Sequence, residues 1–327
     1  MDNEELASLI SAGTAVYDRI RTNAKKMGRD PQFVRRCFVY QRLIERINAS
    51  EWRDRWLTLK GGLLVVTLDP GMGRVTDDLD FTASTPVVLE DAKDAMRTIC
   101  GMRPPQIDGL TFQVDDGRCR MIWEQEHRQT ARIYVTATLH CRYKSVTDDL
   151  KLDVAHGDVM TPGVSRVALE PLCRGFEPPV FPAYPWETVL AEKLHTIQRQ
   201  GAANGRLRDF WDIIAITRRL PLSGTTLADA VRATYACRDS AIETQPFGLT
   251  EAFADSKAEM WANLLKRPGM SRHAPAAFRD AVDEVGRFAW PLLAAAASGT
   301  AAGVDWAPAG GWQPPAGEVA APSAGPR

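Results

Sequence analysis

The chain has 327 residues, of which 45% are hydrophobic and 25% charged, ordinary values for a globular protein and enough length for about two domains. Its formal net charge of -1 excludes a protein that coats nucleic acid by overall charge, so a nucleic-acid partner must be met by a local basic surface. The six cysteines, Cys37, Cys100, Cys119, Cys141, Cys173 and Cys237, form no close pair; with an acidic start, no apolar secretory core and no run of roughly 20 apolar residues, a cytoplasmic protein with reduced thiols and no membrane contact is expected.

Residues 1–55 are predicted to be helical. Leu6, Leu9, Ile10, Val16, Tyr17 and Ile20 recur at helical spacing, as do Phe33, Val34, Phe38, Leu43 and Ile44 in a second segment. Arg35, Arg36, Arg42 and Arg46 are interleaved with them, as a solvated helix face or a contact surface for an anionic partner.

Residues 56–180 read as a strand-rich domain. Short β-like runs occur at Trp56–Leu59, Leu79–Thr82, Leu110–Val114, Cys119–Trp123, Arg132–Leu139 and Asp149–Ala155, with a helix predicted over Pro86–Met102. Asp115-Asp116-Gly117 is expected to close a tight hairpin in which Gly117 takes a positive φ. Strands with intervening helices predict an α/β or α+β domain.

A Pro-rich connector, Pro178–Pro185, leads into a helical domain over residues 181–296. Trp186, Val189, Leu190, Leu194 and Ile197 form one stripe, and further helices are expected near 207–219, 225–237, 250–265 and 275–296. Residues 297–327, rich in Ala, Gly and Pro, are expected to be disordered, with Trp306 and Trp312 the only signs of docking.

Asp78 and Asp80 share one face of a strand, while Leu79 and Phe81 enter the core. Asp149, Lys151 and Asp153 do the same against Leu150, Leu152 and Val154. An Asp-x-Asp alone is weak evidence, and an ordinary half-exposed strand would look like the second segment. Together, three carboxylates from adjacent strands can bridge two Mg²⁺ ions about 4 Å apart. Leu59-Lys60-Gly61-Gly62 runs from strand into a glycine pair, either a simple turn or one whose N–H groups approach a phosphate. Lys193 lies within an apolar stripe, either snorkelling to water or serving as a phosphate ligand. Asp209 and Asp212 fall on one helix face, with Arg208 available to pair with Asp212.

Taken in order, Leu59-Lys60-Gly61-Gly62, Arg74 to Phe81, Lys151-Leu152-Asp153, Ala191-Glu192-Lys193-Leu194 and Arg206 to Asp212 resemble the nucleotidyltransferase toxins of the AbiEii/AbiGii family. The resemblance covers about residues 56 to 220. It implies a nucleotidyltransferase-fold mixed β-sheet domain with flanking helices, followed by an α-helical domain. It further implies that Gly61 and Gly62 cradle phosphate, that Asp78, Asp80 and Asp153 surround Mg²⁺ or Mn²⁺, and that Lys193, Arg206, Asp209 and, less firmly matched, Asp212 complete the site. The implied substrates are a nucleoside triphosphate (NTP) and an RNA acceptor, foremost the tRNA 3′ end. The implied partner is an antitoxin with a winged-helix domain, in toxin–antitoxin or phage-defence systems. Modification of Ser, Thr or Tyr hydroxyls on protein is the alternative. Two departures stand out: Leu63 replaces the usual Thr or Ser after the glycine pair, and Thr76 replaces Ser before the acidic pair. Arg118, Arg120, Arg128, Arg132, Arg142 and Lys144 cluster near the predicted hairpin, as a backbone-tracking groove or as scattered solvated charge.

Overall fold

The computed structural model describes residues 2–53, 58–69, 76, 78–125, 127–170, 173, 175–267, 269–300 and 303–314. Trp56, Leu57, Arg74, Val75 and Asp77, assigned above to a strand start and to the acidic motif, lie outside them, as does the tail beyond Pro314. The described residues form two units: Met1–Asp158 with Val164–Tyr184, and Val159–Gly163 with Pro185–Arg327.

In the first unit the chain begins with α1 (Asn3–Met27) and α2 (Pro31–Ala49). Asp2 and Glu5 close a reciprocal capping box on α1, Gly28 ends it at φ 60°, and Asp30 caps α2 with Pro31 in its first turn. Strand β1 (Thr58–Lys60) runs into the short helix α3 (Gly61–Val66), followed by β2 (Asp78–Ala83), α4 (Leu89–Gly101), β3 (Leu110–Val114), β4 (Arg120–Gln125), β5 (Arg128–Leu139), β6 (Val146–His156), β7 (Ser165–Ala168) and β8 (Val180–Ala183). The sheet order is β3-β5-β6-β2-β1-β8-β7, with β4 also on β5. β6 and β2 run parallel, as do β1 and β8; the other neighbours are antiparallel. The expected α+β class is observed.

Leu59, Leu79, Phe81, Leu152, Val154, Ile133 and Val135 are buried, so one face of the central strands makes the core. The alternate residues on these strands form the opposite face, half-buried at Asp78, Asp80, Arg132, Lys151 and Asp153. Three of the four arginines of α2, Arg35, Arg42 and Arg46, are neither a solvated face nor a contact surface. Arg35 forks onto Asp148 at 2.7 and 2.9 Å, Arg46 onto Asp108 at 2.8 and 3.1 Å, and Arg42 lies buried over the Phe176 ring at 4.6 Å. Their aliphatic stems cover apolar surface while their charges are matched inside the fold.

Two local expectations need correction. β3 and β4 do not form a hairpin with each other: both pair with β5, along Val135–Leu139 and Arg128–Arg132 respectively, and Gly117 has no positive φ. The long β5 offers enough edge for two short strands, so the turn between them need not reverse one onto the other. The Pro178–Pro185 connector contains β8, whose Pro182 lacks a ladder donor and masks the strand pattern.

The second unit contains α5 (Trp186–Gln200), α6 (Leu207–Thr217), α7 (Gly224–Cys237), α8 (Glu251–Leu265), α9 (Phe278–Ser298) and a hairpin of β9 (Asp305–Ala307) and β10 (Gly311–Gln313). Ser223 and Thr250 cap α7 and α8 through their hydroxyls. The stripe Val189, Leu190, Leu194 and Ile197 is buried. The start of the tail is not disordered. Trp306 Nε1 donates to Thr217 O at 2.7 Å, Trp312 Nε1 donates to Phe288 O at 3.1 Å, and the Trp312 ring stacks on Phe288. Two indoles supply both the apolar area and the hydrogen bonds that the Ala/Gly/Pro composition lacks. Among the described residues no helix is long and apolar enough to cross a membrane.

Candidate nucleotidyltransfer site

Strand register assembles the site in the first unit. β2 and β6 run parallel with Asp80 opposite Asp153 and Asp78 opposite Lys151. β1 places Lys60 opposite Asp80, β5 places Arg132 opposite Asp153, and β4 places Arg120 opposite Arg132. Directly paired residues project to the same side. One row therefore crosses five strands as Lys60, Asp80, Asp153, Arg132 and Arg120: two neighbouring carboxylates between cations.

Each acid has a distinct neighbour. Lys151 Nζ lies 2.5 Å from Asp78 Oδ1. Arg132 grips Asp153 with Nε and Nη2, both at 2.7 Å, and these hydrogen bonds raise its guanidinium above its ordinary value against the cost of burial. Asp80 packs against Gly61, whose φ of +66° only glycine adopts readily and whose added Cβ would stand 2.0 Å from Asp80 Oδ2. Gly61 is thus required both by the turn and by the carboxylate. Gly62 is buried in the first turn of α3. Thr76 donates its hydroxyl to Asp78 O at 2.9 Å, which steadies the entry to β2.

Among the described residues no three Asp, Glu, His or Cys side chains stand ready to hold a metal ion. Asp78 and Asp153 instead face Lys151 and Arg132. The donors nonetheless fit a hard divalent cation: they are carboxylates only, two are side by side on adjacent strands, and cationic side chains stand in for the charge they would bind.

Next to the glycine turn, Lys60 Nζ donates to Asp158 Oδ2 at 2.7 Å and lies 5.5 Å from the Tyr184 ring centroid, while Arg128 Nη2 donates to Asp158 Oδ1 at 3.0 Å. Asp158, only 5% exposed, follows the end of β6 and shows no strand or motif pattern that the sequence could reveal. Arg132 was grouped above with a basic cluster, and only the β5–β6 register exposes its bond to Asp153. Within that cluster Arg118 donates to Asp149 at 3.0 Å, Arg128 to Asp158, and Arg142 to the Tyr143 hydroxyl at 2.8 Å. Much of the cluster's charge is therefore internally matched.

The remaining expected residues gather in the second unit. Lys193 on α5 does not snorkel to water: Nζ donates to Asp209 Oδ1 at 2.8 Å and to Asp212 Oδ2 at 2.7 Å, both on α6. Asp212 thus takes Lys193 as a partner. Arg206, 66% exposed at its side chain, donates from Nε to Asp209 Oδ2 at 2.9 Å. Burial opposes ionisation of Asp209, but Lys193 and Arg206 outweigh it and hold the carboxyl below its ordinary value.

Two solved structures from Helicobacter pylori align with this chain. One, described as a candidate nucleotidyltransferase, aligns with a TM-score of 0.43 at 13% identity over 81% of this chain and 95% of its own. The other, JHP933, aligns with a TM-score of 0.42 at 12% identity over 81% of this chain and 92% of its own. No curated protein matches. Residues 42–284 match the family described as "Nucleotidyl transferase AbiEii toxin, Type IV TA system". This match spans most of the chain, including the acidic strands, the glycine turn and the Lys193 helix pair, and the chain belongs to the AbiEii family of nucleotidyltransferase toxins.

Proposed function

We propose that this protein transfers a nucleoside monophosphate from an NTP to the 3′-hydroxyl of an RNA acceptor, foremost the tRNA 3′ end, as a toxin with a cognate antitoxin carrying a winged-helix domain. The observation that carries the reading is the placement of Asp80 beside Asp153, with Asp78 on the same sheet face, at a glycine turn. Asp78, Asp80 and Asp153 would hold Mg²⁺. Bound there, divalent ions lower the pKa of the attacking hydroxyl and neutralise charge on the leaving pyrophosphate. Asp153 accepts the hydroxyl proton as the oxygen attacks the α-phosphorus and the bond to the β-phosphate breaks. Gly61 and Gly62 would offer backbone N–H groups to the triphosphate. Lys193, Arg206 and Asp209 enter this reading through the family resemblance alone.

The test offers the purified protein each of the four α-labelled triphosphates with total RNA and lysate. Label in RNA from one triphosphate, absent with chelator or in Asp80→Asn, is the expected result. Label in protein would reassign the activity to modification of Ser, Thr or Tyr, and undiminished labelling by Asp80→Asn would remove the site assignment.

A further inference from the structure

The acidic face of the sheet continues onto β4. Its ladder with β5 runs Arg120 to Arg132 and Met121 to Ala131, then shifts by one so that Trp123 pairs with Thr130. Ile122 is the extra residue of a β-bulge. Without it, Trp123 would share the face of Met121, opposite that of Arg120. With it, Trp123 projects to the same side as Arg120, Arg132, Asp153 and Asp80. Bulges commonly re-aim a side chain in this way beside functional sites.

The surface so formed has the chemistry of a single-strand platform. Trp123 is 45% exposed, an indole face that a base can cover. Arg118 lies over the Tyr134 ring at 4.1 Å. Arg120 has no carboxylate partner among the described residues; its contacts are the Arg118 carbonyl at 3.3 Å and the Tyr134 ring at 5.8 Å. From Asp153 to β4 is two strand spacings, about 10 Å, a short reach for a polynucleotide end.

We infer that β4 binds the unpaired end of the acceptor RNA, with a base stacked on Trp123 and a backbone phosphate held by Arg120. This rests on the proposed transfer to RNA and names the part of the substrate recognised. Stacking tolerates any base, because every base has a π-face, so the platform selects for strandedness more than for sequence. A duplex keeps its bases stacked on one another and has none to offer Trp123.

The experiment measures fluorescence anisotropy of a labelled single-stranded RNA and of a blunt RNA duplex of equal length, on the full chain without triphosphate. In parallel, RNA labelling by the wild-type protein is followed with α-labelled triphosphate. The single strand is expected to bind more tightly than the duplex. Trp123→Ala should weaken it about tenfold, Trp123→Phe should retain most of the affinity, and Arg120→Gln should lower the slope of log affinity against log salt by about 0.7. If the wild-type labels RNA while Trp123→Ala and Arg120→Gln bind as tightly as wild-type, the platform is overturned and transfer to RNA stands. If Trp123→Ala loses binding but no RNA is labelled, the platform stands and the transfer reading falls. If RNA is neither bound nor labelled, both fall.

Discussion

Asp80 lies directly against the Cα of Gly61, so closely that a Cβ at that position would stand 2.0 Å from Asp80 Oδ2. One carboxylate and one glycine therefore define the mouth of the site together. Gly61→Ala should cost about 1–2 kcal/mol for the left-handed backbone alone and push Asp80 off its position. Denaturant unfolding and label incorporation check the two effects; a variant as stable and active as the parent would show that Asp80 is not held there.

Arg132 bonds both oxygens of Asp153, and Lys151 lies 2.5 Å from Asp78. A divalent cation at these carboxylates competes with both side chains. Mg²⁺ should raise the melting temperature of the wild-type protein by linkage, and the shift should disappear in Asp80→Asn. Arg132→Gln should reach half its shift at lower Mg²⁺ than wild-type. An equal Mg²⁺ response in all three proteins would mean that the ion acts elsewhere.

Lys193 holds two buried carboxylates, Asp209 and Asp212. Lys193→Met leaves them without its ammonium and should cost about 3–5 kcal/mol. Because the folded-state pKa of Asp209 lies below its ordinary value, the stability it contributes is present above the unfolded value of about 3.9 and is lost as pH falls through the folded value. The melting temperature should fall on the acid side, and Asp209→Asn should make that fall shallower. Identical acid limbs in the two proteins would contradict the assignment.

Arg46 and Asp108, 2% and 1% exposed at their side chains, form a two-pronged buried pair, and Asp108 also accepts from Leu110 N at 3.0 Å. Arg46→Met should cost about 3–5 kcal/mol. In a double-mutant cycle with Asp108→Asn measured by urea unfolding, the combined loss should fall short of the sum by more than about 1 kcal/mol. Simple additivity would remove the pair from the core.

What was legible in the sequence follows from periodicity. Helical stripes placed α5 to α9 within a few residues, and alternation at Asp78–Phe81 and Asp149–Val154 gave the sheet's two faces before any pairing was known. Alternation reports which way a side chain points, but not what lies opposite. Hence Arg132 looked like part of a basic cluster and Lys193 like an isolated cation, while their true partners lie 21 and between 16 and 19 residues away. Arg35 and Arg46 of α2 read as a solvated face or a contact surface for the same reason: their acids, Asp148 and Asp108, come from a distant strand and loop.

The sequence by itself determined most of the helices and the central strands, the acidic stripes and the motifs that mark the family, because each depends on neighbours within a few residues along the chain. Only the tertiary structure decided that Asp80 stands beside Asp153, that each acid meets its own neighbour, and that a single extra residue turns Trp123 toward them. Those are matters of register. A shift of one residue between strands exchanges the faces of a sheet while leaving local propensity nearly unchanged.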